Sequence, residues 1–376
     1  MYIVQRHLEN LNKAAVPGKA VIVYGARRTG KTTLVKRFLQ DIDEPYLLVS
    51  GEDITVQGYL SCNSIEKLSA FVGANRLLVV DEAQKVPNIG ANLKLIIDHI
   101  PGIRIVATGS SSFDLARVVG EPLTGRKTTL KLFPLSQMEI GQMEQRHQTD
   151  ANLESRLIYG SYPEVVLTND SRAREQYLKE IVVSYLYKDV LELDGIRHSA
   201  KISRLLQLIA FQVGKEVSYT ELGTNLGMSK NTIERYLDLL EKAFVIQKLS
   251  GFSRNLRSEI TKNNRYYFLD NGVRNALINN FNVLDLRNDV GELWENYLVI
   301  ERLKRQEYLV EFANSYFWRT YNQKEIDLVE EREGKLFGYE MKWGKARTKP
   351  PKEWLEAYPN ANWQLINREN YLELIT

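Results

Sequence analysis

The run Val21-Ile22-Val23-Tyr24-Gly25-Ala26-Arg27-Arg28-Thr29-Gly30-Lys31-Thr32-Thr33 constrains this chain more than any other stretch. A short apolar run, a glycine loop and an amphipathic continuation through Leu34, Val35, Phe38 and Leu39 read as a buried strand, a tight loop and a helix. The loop fits G-x-x-x-x-G-K-[ST], in which each residue type has a physical task. Gly25 permits a turn out of the strand that a Cβ would obstruct, and Gly30 lets the backbone close on an anion. The loop amides and the helix N-terminus then face a phosphate. Lys31 adds a mobile positive charge for the β- and γ-phosphates, and Thr32 offers a hydroxyl to Mg²⁺. Gly25, Ala26, Arg27, Arg28, Thr29, Gly30, Lys31, Thr32 and Thr33 are therefore the expected nucleotide-binding residues.

A second stretch completes the site. Leu77-Leu78-Val79-Val80 reads as a strand buried on both faces, ending in Asp81-Glu82. Ligands of open α/β sheets bind at the carboxyl edge. Asp81 suits a hold on Mg²⁺, and Glu82 is placed to polarise an attacking water. An acidic pair after an apolar run is common by itself. Fifty residues after Lys31 (81 − 31), it points to hydrolysis. The following strand, Gly102–Thr108, ends in Gly109-Ser110-Ser111-Ser112. A polar residue at its tip can touch the γ-phosphate or the water. Ser110 is the first choice and Thr108 the second, against a serine that merely caps the helix Phe113–Val118. Arg126 precedes the strand Thr128–Phe133 and reads either as a finger into a neighbouring subunit's nucleotide or as a surface arginine.

The segments GARRTGKTT, LLVVDEAQ, ATGSSS and LTGRKTTLKLFPLS, with Tyr159-Gly160-Ser161-Tyr162-Pro163-Glu164 later, resemble the AAA-type ATPases of a bacterial and archaeal group that carries a C-terminal domain of unassigned function. That resemblance covers nearly the whole chain. It implies ATP as the nucleotide and a homo-oligomeric ring, or part of one, with shared sites.

Residues 137–200 read as helices, with Leu178, Ile181, Val182, Tyr185 and Leu186 on one face of Tyr177–Leu191, and are expected to form a helical lid. Residues 201–284 read as a winged helix, with helices Ile202–Val213, Thr220–Leu226 and Lys230–Phe244 and strands Val245–Leu249 and Arg265–Leu269. The third helix would offer Lys230, Asn231, Glu234, Arg235 and Asp238 to a groove, a set of mixed sign. Lys248, Arg254, Arg257, Lys262 and Arg265 make the wing more basic and suit phosphate contact. Packing between domains is the other use of such a module.

The last segment, 285–376, carries its own constellation. A helix bears Glu292 and Glu295, one turn apart. Strands around Asp327 and Glu340 flank Arg332-Glu333-Gly334-Lys335. A tight hairpin centred on Glu333-Gly334 sets Asp327 opposite Glu340, with Lys342 on the same face. Asp327 and Glu340 would offer carboxylates to a divalent metal, Glu295 a third, and Lys342 would steady a phosphate or orient a water. The pattern resembles D…E-x-K of the restriction-endonuclease-like superfamily, with Glu-Ile-Asp327 where the family has Pro-Asp. It implies Mg²⁺-dependent phosphodiester hydrolysis, or such a fold kept for DNA or protein binding.

The expected fold class is α/β: a parallel-sheet P-loop ATPase core (1–136), a helical lid (137–200), a winged helix (201–284) and a restriction-endonuclease-like domain (285–376). With one cysteine, Cys62, no disulfide framework and no Cys-based zinc site is expected, which suits a reducing, cytoplasmic setting. No apolar run approaches a membrane span. A net charge of +3 means that any nucleic-acid surface is a local patch. The expected activity is ATP hydrolysis directed at DNA; an ATP-dependent signalling switch that binds a protein partner is the alternative.

Overall fold

Apolar residues at consecutive positions of a short β-branched strand leave no polar face, so such strands belong in a sheet covered on both sides. The computed structural model describes residues 8–109, 123–183, 199–253, 264–320, 322–345 and 348–376. The chain divides into two units, residues 1–134 with 242–244, and residues 135–241 with 245–376.

The first unit holds β1 (Ala20–Tyr24), β2 (Tyr46–Ser50), β3 (Leu77–Asp81), β4 (Arg104–Gly109) and β5 (Lys127–Lys131). They form one parallel sheet in the order β2-β3-β4-β1-β5. Ile22, Leu78, Val80, Ile105 and Ala107 pack on one face against Leu68, Leu93 and Ile96. Val21, Val23, Leu77, Val79 and Val106 pack on the other against Leu34, Val35 and Phe38. The helix Lys31–Gln40 buries the apolar stripe anticipated for it. This alternation drives polar groups to the strand ends.

The second unit begins with the helices Gln137–Ile140, Arg146–Tyr159, Pro163–Leu167 and Ser171–Ile181. The stripe residues Tyr185 and Leu186 lie outside the described residues. These helices are fastened to later parts of the same unit. Asn275 Nδ2 donates to the carbonyls of Leu157 (3.1 Å) and Ile158 (2.7 Å). Glu301 accepts from the Gln137 amide at 2.5 Å. The described part of the expected lid, residues 137–183, groups with the second unit.

Residues 199–268 run helix (Ser199–Phe211), β6 (Glu216–Val217), helix (Tyr219–Leu226), helix (Lys230–Lys242), β7 (Ile246–Gly251) and β8 (Asn264–Phe268). Ser218 and Ser229 cap the second and third helices through the amides of Glu221 (3.3 Å) and Thr232 (3.2 Å). Gly227 ends the second helix with left-handed backbone, φ 59°. The tail supplies the long helix Val290–Leu309, then β9 (Asn314–Arg319), β10 (Glu325–Arg332), β11 (Lys335–Met341) and β12 (Asn362–Ile366). The sheet order is β12-β11-β10-β9-β7-β8-β6. β7 runs parallel to β9 through Ser250↔Tyr316 and Gly251↔Phe317. The segments on either side of the boundary expected at 284/285 thus share one sheet and one unit. An unpaired strand edge is costly to leave open, and here each segment closes the other's. Arg302 binds Glu330 in a buried bidentate pair (2.6 and 2.9 Å) that pins the long helix to β10.

No described helix is long and apolar enough to cross a membrane.

Asp270 caps the helix Asn271–Leu277 and also accepts the Ser161 amide at 2.7 Å. Burial pushes its carboxyl up to about 6 from 3.8, against the pull of those amides and Lys304. Between these values the folded chain holds a proton that the unfolded chain has lost. The group's contribution to stability therefore falls as pH rises toward 6 and is level above it. Asp270→Asn keeps a cap but does not titrate. In urea unfolding the advantage of wild type over the variant should be largest near about pH 4 and shrink by about pH 6.5; a constant difference would contradict this.

Candidate functional site

The phosphate loop leaves β1 at the carboxyl edge of the first sheet. Two glycines shape it for different reasons. A Cβ on Gly25 would overlap the Leu132 carbonyl, where β5 runs on beside the loop and the Leu132 amide donates to Tyr24 O at 2.8 Å. The constraint at Gly25 is this close approach, in place of the expected turn. Gly30 has φ 95° and open space around it, so it is the left-handed backbone that needs glycine there. Lys31 is buried and its Nζ donates to the carbonyls of Gly25 (3.0 Å) and Ala26 (2.8 Å), which aims its charge into the loop. Thr29 is buried, with its hydroxyl on Ala26 O at 2.8 Å; Arg28, Thr32 and Thr33 are exposed.

Three side chains from three segments, Thr32, Asp81 and Thr108, meet beside the loop, and the Glu82 amide joins them. Thr32 Oγ1 donates to Asp81 Oδ2 at 2.9 Å. Thr108, one step from the end of β4 and level with Val23 of β1, donates its hydroxyl to Asp81 Oδ1. The same Thr108 oxygen accepts the Glu82 amide at 3.2 Å. Glu82 Oε2 accepts from Gln84 Nε2 at 2.5 Å. Glu82 has left-handed backbone, φ 51°, rare for a residue with a Cβ. Thr108 and the Gly51 amide, which donates to Asp81 O at 2.7 Å, hold that conformation in place. A Cβ on Gly51 would overlap the Glu82 carbonyl, so the end of β2 also presses on this turn.

Of the expected residues, the structure gathers Lys31, Thr32, Asp81 and Glu82. Thr108, the second choice, bonds Asp81 near the strand tip. Ser110, the first choice, lies outside the described residues. Arg126 stands at the other end of the sheet. Lys127 is level with Ala20, the first residue of β1, whereas the loop leaves after Tyr24. Four steps of about 3.3 Å each separate the two ends. Arg126 pairs with Asp98 at 2.5 Å and is 48% exposed, so it cannot serve its own chain's loop.

The second unit assembles the tail constellation. The hairpin register runs from Arg332↔Lys335 to Leu328↔Tyr339, which continues to Asp327 opposite Glu340. Glu333 and Gly334 have φ 50° and 72°, the pair of left-handed residues that a two-residue hairpin turn requires. Lys342 Nζ lies 2.7 Å from Glu340 Oε1. Asp327 Oδ2 accepts from the Met341 amide at 2.8 Å, and Tyr267 donates to Glu295 at 2.6 Å. Burial, then the charge of Asp327, pushes Glu295 up to about 8. Burial also raises Asp327 and Glu340. Burial works against the charge on Lys342, but Glu340 and Asp327 outweigh it and leave its pKa raised. Glu292 turns away to Lys215, 3.2 Å distant.

Among the described residues no group of three His, Cys, Asp or Glu side chains is arranged to hold a metal ion. The expected ligands Asp327, Glu340 and Glu295 are engaged instead with the Met341 amide, Lys342 and the Tyr267 hydroxyl. Arg265, expected on a solvent-facing wing, is 3% exposed and lies among these carboxylates. Arg265 shares its strand face with Tyr267, two residues on, which is wholly buried. Of the other wing cations, Lys248 is exposed on β7, and Arg254, Arg257 and Lys262 lie outside the described residues.

Family models match three successive stretches of the chain. A family model described as an AAA domain matches residues 17–141. Domains of unknown function match 150–284 (DUF8612) and 290–371 (DUF4143). Uncharacterized proteins of Mycobacterium tuberculosis and Mycobacterium bovis are each 27% identical over 337 residues, covering 88% of this chain and 72% of theirs. An uncharacterized protein of Methanocaldococcus jannaschii is 25% identical, covering 84% of this chain and 72% of its own. Among solved structures, a Walker-type ATPase of Pyrococcus abyssi is 16% identical with TM-score 0.48, covering 73% of this chain and 96% of that one. A Signal Transduction ATPase with Numerous Domains from Pyrococcus horikoshii is 13% identical with TM-score 0.31, covering 81% and 46%. The AAA match spans the phosphate loop and the acidic pair, and the first unit is an ATPase-type P-loop domain.

Thr108→Val removes one hydroxyl at nearly constant volume. It leaves Asp81 Oδ1 without its donor and frees the Glu82 turn. Loss of such a supporting bond costs about 10–100-fold in activity. The variant should lose that much in the rate of nucleotide hydrolysis, with nucleotide affinity changed less than about threefold. A rate within about twofold of wild type would show that Thr108 does not position the pair.

Proposed function

We propose that this protein binds and hydrolyses ATP at the loop Gly25–Thr33, and that the helix–strand unit around Lys230–Lys242 passes the nucleotide state to DNA. The observation that carries the ATPase half is the contact of Thr32 Oγ1 with Asp81 Oδ2 at 2.9 Å. It brings together two hard oxygen donors, the type Mg²⁺ prefers, beside a loop built for phosphates. Thr32 and Asp81 would hold Mg²⁺. When bound with ATP, the ion neutralises charge developing on the transferred phosphoryl group.

The chain's own groups do the rest. Loop amides and Lys31 hold the β- and γ-phosphates. Lys31 already points into the loop through two of its carbonyls, so little rearrangement separates it from an anion. Glu82 is held by Gln84 and by its strained backbone at the carboxyl edge of β3, where it can accept a hydrogen bond from a water and orient it. Thr108 keeps Asp81 and Glu82 in register as a positioning residue. Arg126, distant from its own loop and half exposed, is suited to a neighbouring copy's nucleotide in a homo-oligomer.

The order helix, strand, helix, helix, strand, strand supports a winged helix in the second unit. Lys230, Asn231 and Arg235 on the exposed face of its third helix suit phosphate and base edges. One observation favours a second reading. Glu234 and Asp238 share that exposed face and cancel its charge, which suits a protein partner and a signalling switch.

Glu82→Gln should bind ATP with near wild-type affinity and lose hydrolysis by at least about 100-fold; normal turnover would remove Glu82 from its role. Double-stranded DNA should stimulate wild-type turnover severalfold, and stimulation by no DNA, single- or double-stranded, would favour the protein partner. ATP should drive association in light scattering. A monomer in every nucleotide state would overturn the shared-site role of Arg126.

A further inference from the structure

The carboxylates of the second unit gather around a cation that the chain itself supplies. Arg265 stands on β8 and reaches across the ring of Phe317, 4.5 Å from its centroid. Its NH2 group donates to Glu325 Oε2 at 2.7 Å. Its NH1 group lies 3.6 Å from Glu295 Oε1 and 4.0 Å from Asp327 Oδ1. The side chain is almost wholly buried, and its Nε finds no acceptor. Charge and ring stacking hold the guanidinium here, since its hydrogen bonds are incomplete.

Each expected metal ligand already has a partner. Glu340 holds Lys342, Asp327 accepts the Met341 amide, and Glu295 accepts the Tyr267 hydroxyl. A divalent ion needs oxygens at about 2.0–2.6 Å. An ion that close to Asp327 and Glu295 would lie within a few ångströms of the guanidinium, in a site screened from water. Lysine could relieve such a clash by losing its proton, but arginine cannot.

We propose that Arg265 is the resident counter-ion of Glu295, Glu325 and Asp327 and, beside the Glu340–Lys342 pair, closes this cluster to divalent metal. The cluster then serves to fasten β8 to β10 across the joined sheet, and it does not cleave phosphodiesters. Removing Arg265 uncovers a metal site that the wild-type chain does not use. The inference stands apart from the ATPase reading, because it concerns the nucleotide-free second unit.

The test is titration of Mn²⁺ alone, to about 1 mM, into the full nucleotide-free chain, with free Mn²⁺ read by electron paramagnetic resonance. Any Mn²⁺ at Thr32 and Asp81 is common to all variants and cancels in the differences. Wild type and Asp327→Asn should bind the same amount. Arg265→Gln should bind one equivalent more, and Arg265→Gln with Asp327→Asn should lose it. One extra equivalent on wild type relative to Asp327→Asn would overturn the proposal. So would a folded Arg265→Gln, by circular dichroism, that gains no site. Should Arg265→Gln not fold, the wild-type pair still decides, joined to a supercoiled DNA assay with Mn²⁺. Intact DNA agrees with the proposal, and nicking that vanishes in Asp327→Asn overturns it.

Discussion

A parallel sheet buried on both faces can carry polar side chains only where its strands end, and the chemistry of the first unit follows from that constraint. Val79 and Val80 spend their side chains on opposite cores. The next residue, Asp81, is the first that can be polar without cost. Because β1, β3 and β4 are neighbours and parallel, their ends lie side by side. The loop of one, the carboxylate of the second and the hydroxyl of the third therefore meet with little further design. Thr108 is wholly buried, yet both hydrogen-bonding capacities of its hydroxyl are used, one on Asp81 and one on the Glu82 amide. Gly25 and Gly51 mark where neighbouring strands press closest on this edge.

The second unit follows a different rule. Its strands come from two stretches of sequence that each leave an edge open, and β7 joins β9 to close both. That junction brings Arg265 from one stretch to Glu325 and Asp327 of the other. A buried charge is tolerated only when opposed, and the arginine and the carboxylates oppose each other. The raised pKa values of Glu295, Asp327 and Glu340 share one main origin, burial, to which the neighbouring carboxylates add and which the nearby cations only partly offset.

The sequence exposed local features well. The phosphate loop, the acidic pair and the apolar face of the helix Lys31–Gln40 follow from spacing alone. So does the hairpin at Glu333-Gly334, where a two-residue turn permits one register and fixes Asp327 opposite Glu340. What sequence did not expose depends on contacts between distant segments. Nothing near Arg265 announces that its partners lie 60 residues on, at Glu325. Nothing in residues 137–183 announces Asn275 or Glu301 as their anchors, so those helices read as a separate lid. That Thr108 reaches Asp81 depends on the pairing of β3 with β4, which is a property of the sheet.

The central claim is that the edge formed by Lys31, Thr32, Asp81, Glu82 and Thr108 hydrolyses ATP. Single-turnover quench kinetics test it most directly: excess wild-type protein is mixed with labelled ATP and Mg²⁺, and bound nucleotide is separated over time. The account predicts that bound ATP decays to ADP and phosphate in a single exponential, and that nothing is released when Mg²⁺ is chelated. ATP that stays bound and intact over hours, with Mg²⁺ present, would contradict it.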